Sequence, residues 1–379
     1  MLTLPGLIDP HVHLRTPGQE GKEDFYTGTS AALAGGYTTI IDMPNNTTPI
    51  TTGERLDEKI SLAEKQTVCD IGFHFGSLGE NFDEFPKVQN KVLGLKIYLN
   101  QTTGGYIVDE HVFEKICNAW PKQKPILVHA EENIIEKILE IGNRTGQKIH
   151  VAHVSSAKEL QTIINAKMKG YQVTCGVTPH HLFLNIEQGE KLGAFGKMKP
   201  TLKPQADVDF LWNHLQDIDI VESDHAPHTI EEKMHNIPTP NGVPGLETTL
   251  PLLLTAVHED KLTIADIKRL CYEGPKKIFL DNVIANKTPV IRTLPGHPQL
   301  ARSELTGQIS GSYIDIDENE EWTIENKNLF TKCKWSPFNG WKVKGKVKRV
   351  YIRGEKVFAD GKILAKPGFG RIIKTNAIV

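Results

Sequence analysis

Cysteine is scarce in this chain. The five, Cys69, Cys117, Cys175, Cys271 and Cys333, are odd in number, scattered and never in a C-x-x-C pair. That excludes a disulfide framework and a thiolate zinc cluster, and fits reduced core residues of a cytoplasmic protein. Long apolar runs are missing as well; none approaches the roughly 20 residues that span a bilayer. Neither sign of charge prevails, with 44 basic and 46 acidic side chains and a net charge of −2. Binding to nucleic acid or a membrane surface is therefore not expected. The chain enters a strand at once, so no signal peptide is expected, and sites such as Asn45-Asn46-Thr47 should carry no glycan. Internal repeats and low-complexity segments are also lacking.

What is present is alternation. With 39% hydrophobic and 24% charged residues, the chain suits one large domain, or one large and one small. Leu4-Pro5-Gly6-Leu7-Ile8 reads as a first buried strand. Helical patterns over 24–36, 53–66, 110–119, 132–145, 157–169 and 207–214 are interspersed with strands. The strands fall at 38–43, 69–75, 94–99, 125–129, 148–154, 171–177 and 219–224. Strand–helix alternation of this kind predicts an α/β protein with a parallel sheet, closed as a (β/α)8 TIM-like barrel. A doubly wound open sheet is the other option. It would place a glycine-rich phosphate turn after the first strand, where this chain has histidines. Beyond residue 240 come helices at 245–259 and 263–279, an irregular stretch, and strands at 312–317, 342–352 and 355–364. Hairpin turns are expected at Arg353-Gly354-Glu355 and Asp360-Gly361-Lys362. The expected division is a barrel over 1–280, an irregular insertion over 281–311 and a small β-rich appendage over 312–379. The extreme N-terminus is expected to contribute to that appendage.

The polar residues at the strand ends carry the chemistry. In His11-Val12-His13-Leu14-Arg15 the two imidazoles, like Asp9 and Arg15, share one face because strand side chains alternate. An isolated pair says little. Later strand ends, however, bring Asn45, Lys96, His129, His153 and Asp224 to the same barrel rim. Four histidines and an aspartate at one rim suit divalent metal. Lys96 sits in the apolar Leu95-Lys96-Ile97-Tyr98, where burial lowers an amine's pKa. Two options stand for it: a neutral amine that captures carbon dioxide as a carbamate, or a lysine snorkelling to the rim. As a carbamate it would bridge two zinc ions. One would take His11, His13 and Asp224; the other would take His129 and His153. Two such ions acidify a hydroxide between them, and Asp224 is placed to relay the proton. The arrangement suits hydrolysis of an amide, or its reversal. His74, His150, His181, His225 and His235 are not expected to act; strand parity against His153 turns His150 toward the helices. His180 and His181 are expected to hydrogen-bond structurally, and Glu131-Glu132 to start a helix.

At Ser223-Asp224-His225-Ala226-Pro227-His228-Thr229 a resemblance emerges. Taken with Pro5–Arg15, Met43-Pro44-Asn45, Val128-His129-Ala130-Glu131, Thr178–Leu184, Pro244-Gly245-Leu246-Glu247-Thr248 and Trp335-Ser336-Pro337-Phe338, the chain resembles dihydroorotases of the amidohydrolase superfamily. Among these it most resembles the dihydroorotase domain of the animal multifunctional pyrimidine-synthesis protein. The resemblance covers nearly the whole chain. It implies reversible cyclisation of N-carbamoyl-L-aspartate to L-dihydroorotate, with two Zn2+ bridged by carboxylated Lys96. It assigns metal binding to His11, His13, Lys96, His129, His153 and Asp224, and catalysis to Asp224. It places the substrate carboxylate on Arg15, Asn45 and His228, with backbone near Pro244 meeting the ring amide. A closing loop, Asn100-Gln101-Thr102-Thr103-Gly104-Gly105, offers Thr102 as a contact.

Departures accompany the likeness. Thr103 replaces an aromatic residue, and Lys199 stands where an arginine contacts substrate, a non-equivalent exchange at a planar carboxylate. Ala152 and Gly176 replace a cysteine and a glutamate that help hold a third zinc, so two zincs are expected. By analogy the chain is expected to form a homodimer, and to work beside other pyrimidine-synthesis enzymes if it belongs to a multifunctional polypeptide. Two alternatives differ in kind. One is a hydantoinase, dihydropyrimidinase or allantoinase, which needs no carboxylate clamp. The other is a catalytically silent scaffold, which would be expected to have lost metal ligands.

Overall fold

Strands of a parallel sheet are covered on both faces, which is why they read as near-continuous β-branched and apolar runs. The computed structural model describes residues 1–100, 107–281 and 311–375. In it Leu2–Pro5 forms β1, followed by Leu7–Val12 (β2), Tyr37–Asp42 (β3), Asp70–Gly76 (β4), Gly94–Tyr98 (β5), Ile126–His129 (β6), Ile149–Val151 (β7), Val173–Val177 (β8) and Ile220–Val221 (β9). β2 to β9 pair in sequential order, all parallel, as a (β/α)8 barrel. The ring is drawn together where the His13 N–H donates to His225 O at 2.8 Å and Val12 bridges His225. Crossover helices pack outside. Gly53–Gln66 is typical: Leu56, Ile60 and Ala63 face inward at helical spacing, while Asp57, Glu58 and Glu64 stay exposed. Lys59 on the inner face is also buried. Its ammonium meets Asp42 at 2.8 Å and Met43 O at 2.7 Å, fixing the end of β3.

Four expectations need correcting. Leu4–Ile8 is not one strand. The chain breaks at Gly6, whose N–H turns to Ser312 O, so β1 leaves for a second sheet and only β2 enters the barrel. The helix over 263–279 is regular only across Ile264–Lys268 and then widens at 269–273 and 276–280. Pro275, which lacks an N–H, separates those two wide turns. His150 does not face the helices. It is fully buried beside Phe279, with Nε2 3.8 Å from Glu222. The parity argument fails because β7 ends at Val151 and His153 lies beyond it with φ 41°. Finally, the strand expected at 312–317 runs over Tyr313–Thr323. Its acidic stretch hid it, yet Glu320 faces Lys346 and Lys348 at 2.9 Å each on the neighbouring strand.

That strand (β10) joins β1, Lys342–Ile352 (β11), Glu355–Ala359 (β12) and Lys362–Ile363 (β13) in an antiparallel sheet. Its hairpins turn on Arg353 and Gly354 (φ 53° and 79°) and on Asp360 and Gly361 (φ 46° and 77°). Two consecutive positive φ values match the twist of the flanking strands. The tail then returns to the barrel: Ile373 N–H reaches Ile71 O at 2.8 Å, and Lys124 Nζ reaches Thr375 Oγ1 at 2.6 Å. The insertion expected over 281–311 lies almost wholly outside the described residues. Among the described residues no helix is long and apolar enough to cross a membrane.

Arg353 also ties the two sheets together, its guanidinium 2.6 Å from the buried Asp70 carboxylate at the start of β4. Removing one partner of a buried pair strands the other charge. Arg353→Met is therefore expected to lower unfolding stability by about 3 kcal/mol in urea titration. A change within about 0.5 kcal/mol would show that the pair adds nothing.

Candidate active site

Barrel closure carries the C-terminal strand ends to one mouth. His11 is inside the end of β2 and His13 just beyond it; Lys96 lies within β5, and His129 ends β6. His153 and Asp224 follow β7 and β9 in left-handed backbone (φ 41° and 43°), as does Arg15 (φ 64°). Such conformations cost on the order of 1–3 kcal/mol each and persist only where the surroundings impose them. One cavity is lined by His11, His13, Arg15, Asn45, Lys96, Tyr98, His129, His153, Lys199, Asp224, Ala226, Asn241 and Gly242.

Hydrogen bonding sets the histidine tautomers. His11 Nδ1 lies 3.1 Å from Glu222 Oε2, and His13 Nδ1 lies 2.6 Å from Asn45 Oδ1. Both oxygens only accept, so both Nδ1 atoms carry the proton. Each Nε2 then faces Asp224 Oδ1, at 3.3 Å for His11 and 3.1 Å for His13. Across the mouth His129 Nδ1 faces His153 Nε2 at 2.9 Å. Burial lowers the pKa of His13 to about 4 and holds His129 and His153 below the ordinary imidazole range. Burial alone would raise the Asp224 carboxyl, but His11 and His13 outweigh it and hold it well below its usual value. Imidazole nitrogens and a carboxylate aimed at one another repel unless a proton or a metal cation lies between them. Ligand atoms of His11, His153 and Asp224 all fall within 4.8 Å of one another. Lys96 completes the set. Its Nζ is buried, without a hydrogen-bond partner among the described residues, and lies 5.1 Å from the Tyr98 ring. Burial lowers its pKa to about 8, against the opposing pull of Glu222 and Asp224. These donors fit a divalent metal site.

The substrate-side residues divide. Arg15, Asn45 and Lys199 are on the wall. His228 stands behind Arg15, its Nε2 3.3 Å from Arg15 Nη2 and 3.0 Å from Asn241 O. Pro244 is buried and does not line the cavity. Thr102 and Thr103 lie outside the described residues. His181 is held between Thr178 Oγ1 and Pro200 O at 2.7 and 3.1 Å. The sequence reading missed Tyr98, Asn241, Gly242 and, above all, Glu222. That fully buried carboxylate orients His11 and also accepts the His153 N–H at 2.6 Å, joining both halves of the cluster. Gly176 makes room for it; a Cβ there would lie 2.5 Å from Glu222 Oε1. An acid inside the apolar Ile220-Val221-Glu222 was the available signal, the same one that exposes Lys96.

Fold and site together define a metal-dependent hydrolase of the barrel type. Comparison then narrows the class. The amidohydrolase family model matches residues 2–174. Multifunctional protein CAD of Squalus acanthias is 44% identical over 99% of this chain, which spans only 16% of that protein's length. The dihydroorotase of Pyrococcus horikoshii is 36% identical over 98% of this chain and 85% of its own. Among solved structures, the L-hydantoinase (dihydropyrimidinase) of Arthrobacter aurescens superposes with a TM-score of 0.86 at 24% identity, covering 98% of this chain and 89% of that one. The inactive dihydroorotase-like domain of a Chaetomium thermophilum CAD-like multifunctional protein gives a TM-score of 0.77 at 26% identity, covering 98% of both chains. The chain belongs to the dihydroorotase family of amidohydrolases.

Glu222→Gln retains size but loses the charge that polarises His11. It is expected to weaken zinc affinity about 10- to 100-fold in competition against a chromogenic chelator. Wild-type affinity in that variant would remove Glu222 from the metal centre.

Proposed function

We propose that this chain interconverts N-carbamoyl-L-aspartate and L-dihydroorotate, as a step of pyrimidine synthesis. The observation that carries the proposal is a guanidinium, Arg15, sharing one cavity with His11, His13, Lys96, His129, His153 and Asp224. A planar fork beside a hydrolytic cluster suits a substrate bearing both a cyclic amide and a free carboxylate. Asn45 supports the same contact. Its Oδ1 is engaged by His13, which leaves its amide N–H groups to donate. Lys199 adds a positive point charge from the opposite segment.

In the hydrolytic direction, water adds to the ring amide carbon, the C–N bond opens and the nitrogen leaves as the ureido group. Asp224 takes the proton of that water and returns it to the departing nitrogen. It can do so where the water is already acidified. Two zinc ions, held by His11, His13 and Asp224 and by His129 and His153, and joined through Lys96 as a carbamate, would supply that acidity when bound. The Lys96 amine suits this modification because it is buried and unpartnered among the described residues. Carbamate formation joins the amine nitrogen to the carbon of carbon dioxide and releases one proton.

The hydantoinase alternative is supported by the fold likeness, yet a neutral cyclic amide gives Arg15 no partner. The silent-scaffold alternative sits poorly with a full set of donors. The likeness to a multifunctional relative supports a place beside other pyrimidine-synthesis enzymes.

Zinc-loaded protein is expected to hydrolyse dihydroorotate and to leave hydantoin and dihydrouracil untouched, with two zincs per chain. Lys96→Ala should lower turnover at least about 1,000-fold and reduce bound zinc, measured together by assay and elemental analysis. Preference for hydantoin, near-normal Lys96→Ala activity or a reproducible third zinc would contradict the proposal.

A further inference from the structure

Lys233 lies behind the cavity wall, on the short helix Ile230–His235. Its side chain is fully buried, and the Trp335 ring covers the ammonium at 5.4 Å. Nζ donates to Lys197 O at 2.9 Å, Pro240 O at 2.9 Å and Gly242 O at 3.0 Å. Three donors therefore meet three carbonyls, and among the described residues no carboxylate pairs with the charge. An ammonium buried without a counter-ion is costly. An apolar side chain of similar length would avoid that cost but would take this donor from the three carbonyls.

What the ammonium holds gives it a purpose. Lys197 precedes the wall residue Lys199, and Pro240 and Gly242 flank Asn241, also on the wall. The two segments are further tied by Gly242 N–H to Lys197 O at 3.1 Å. Gly242 itself has φ 134°, and a Cβ there would lie 2.5 Å from Ala226 O. The chain threads closely here and depends on its carbonyls being held. Burial, then the nearby charges of Lys197 and Arg15, lower the Lys233 pKa to about 7. The charges of Arg15 and Lys197 thus oppose that of Lys233 from the same side of the molecule as the Arg15 wall of the cavity.

We propose that Lys233 is a positioning and specificity residue. It orders the Lys197–Lys199 and Pro240–Gly242 walls, and its uncompensated charge favours an anionic substrate over a neutral cyclic amide. The inference rests on the dihydroorotase reading and extends it from the groups that touch substrate to one that acts through them.

The test uses zinc-loaded wild type, Lys233→Met and Lys233→Gln, the last keeping two of the three N–H donors but not the charge. KM and kcat for L-dihydroorotate, the Kd of orotate by calorimetry, and zinc per chain are measured. Zinc content should hold, kcat should change by less than about threefold, and KM and the orotate Kd should both rise about tenfold or more in each variant. Unchanged KM and Kd, a fall confined to kcat, loss of zinc, or insolubility of both variants would overturn the proposal, the last two by assigning Lys233 to folding. Wild type inert toward both ligands would overturn the dihydroorotase reading and this inference with it. Variants that match an active wild type would overturn this inference alone.

Discussion

The site depends on how the barrel closes. His13 N–H to His225 O, at 2.8 Å, joins the first barrel strand to the segment leaving the last. Across that seam His13 Nε2 and Asp224 Oδ1, 211 positions apart in the chain, come within 3.1 Å. With the seam open the sheet would still bury its apolar faces, but His11 and His13 would be parted from Asp224. Parallel pairing makes this economy possible. Every strand runs the same way, so every strand end delivers its next residues to the same mouth.

Behind the mouth lies a second layer that holds those residues at awkward angles. Glu222 ties His11 to the backbone of His153. The Asp9 carboxylate accepts the His11 N–H at 3.1 Å, and Asp42 accepts the Leu14 N–H at 2.8 Å while paired with Lys59. The C-terminal segment joins in from outside the barrel. Glu23 bonds His225 Nε2 at 3.2 Å and the Lys332 N–H at 3.1 Å, and Trp335 donates to His228 O at 2.7 Å. The loop after β9 is thus clamped between the barrel and chain that lies a hundred residues further on, so the appendage is part of the site's support. Electrostatically the cavity has two sides. One is a convergence of imidazoles with a carboxylate, suited to a cation. The other, around Arg15, Lys199 and Lys233, is short of negative charge. A divalent metal on the one side and an anionic substrate on the other would satisfy the two together.

Much of this was legible from residue pattern. Eight apolar segments alternating with amphipathic ones predict the barrel, and β-strand geometry puts the residues just past each strand at the rim. What was hidden shares one cause: meaning supplied by partners distant in sequence. Gly6 looks like part of one strand until Ser312 competes for its N–H. His150 has a parity only if β7 continues to His153, and left-handed backbone there ends it. The acidic run of β10 reads as a loop until the lysines of β11 face it. Glu222 stands out as an acid in an apolar run, but its role, like that of Lys233, is explained only by the carbonyls, rings or amides it meets in space.

The central proposal is that Lys96, buried without a hydrogen-bond partner among the described residues, becomes the anionic bridge of a two-zinc centre. Carbon-13 NMR of protein reconstituted with zinc and labelled bicarbonate tests it directly. The account predicts one carbamate resonance per chain, lost in Lys96→Ala and on removal of zinc under carbon-dioxide-free conditions. A fully zinc-loaded, active protein with no such resonance would contradict it.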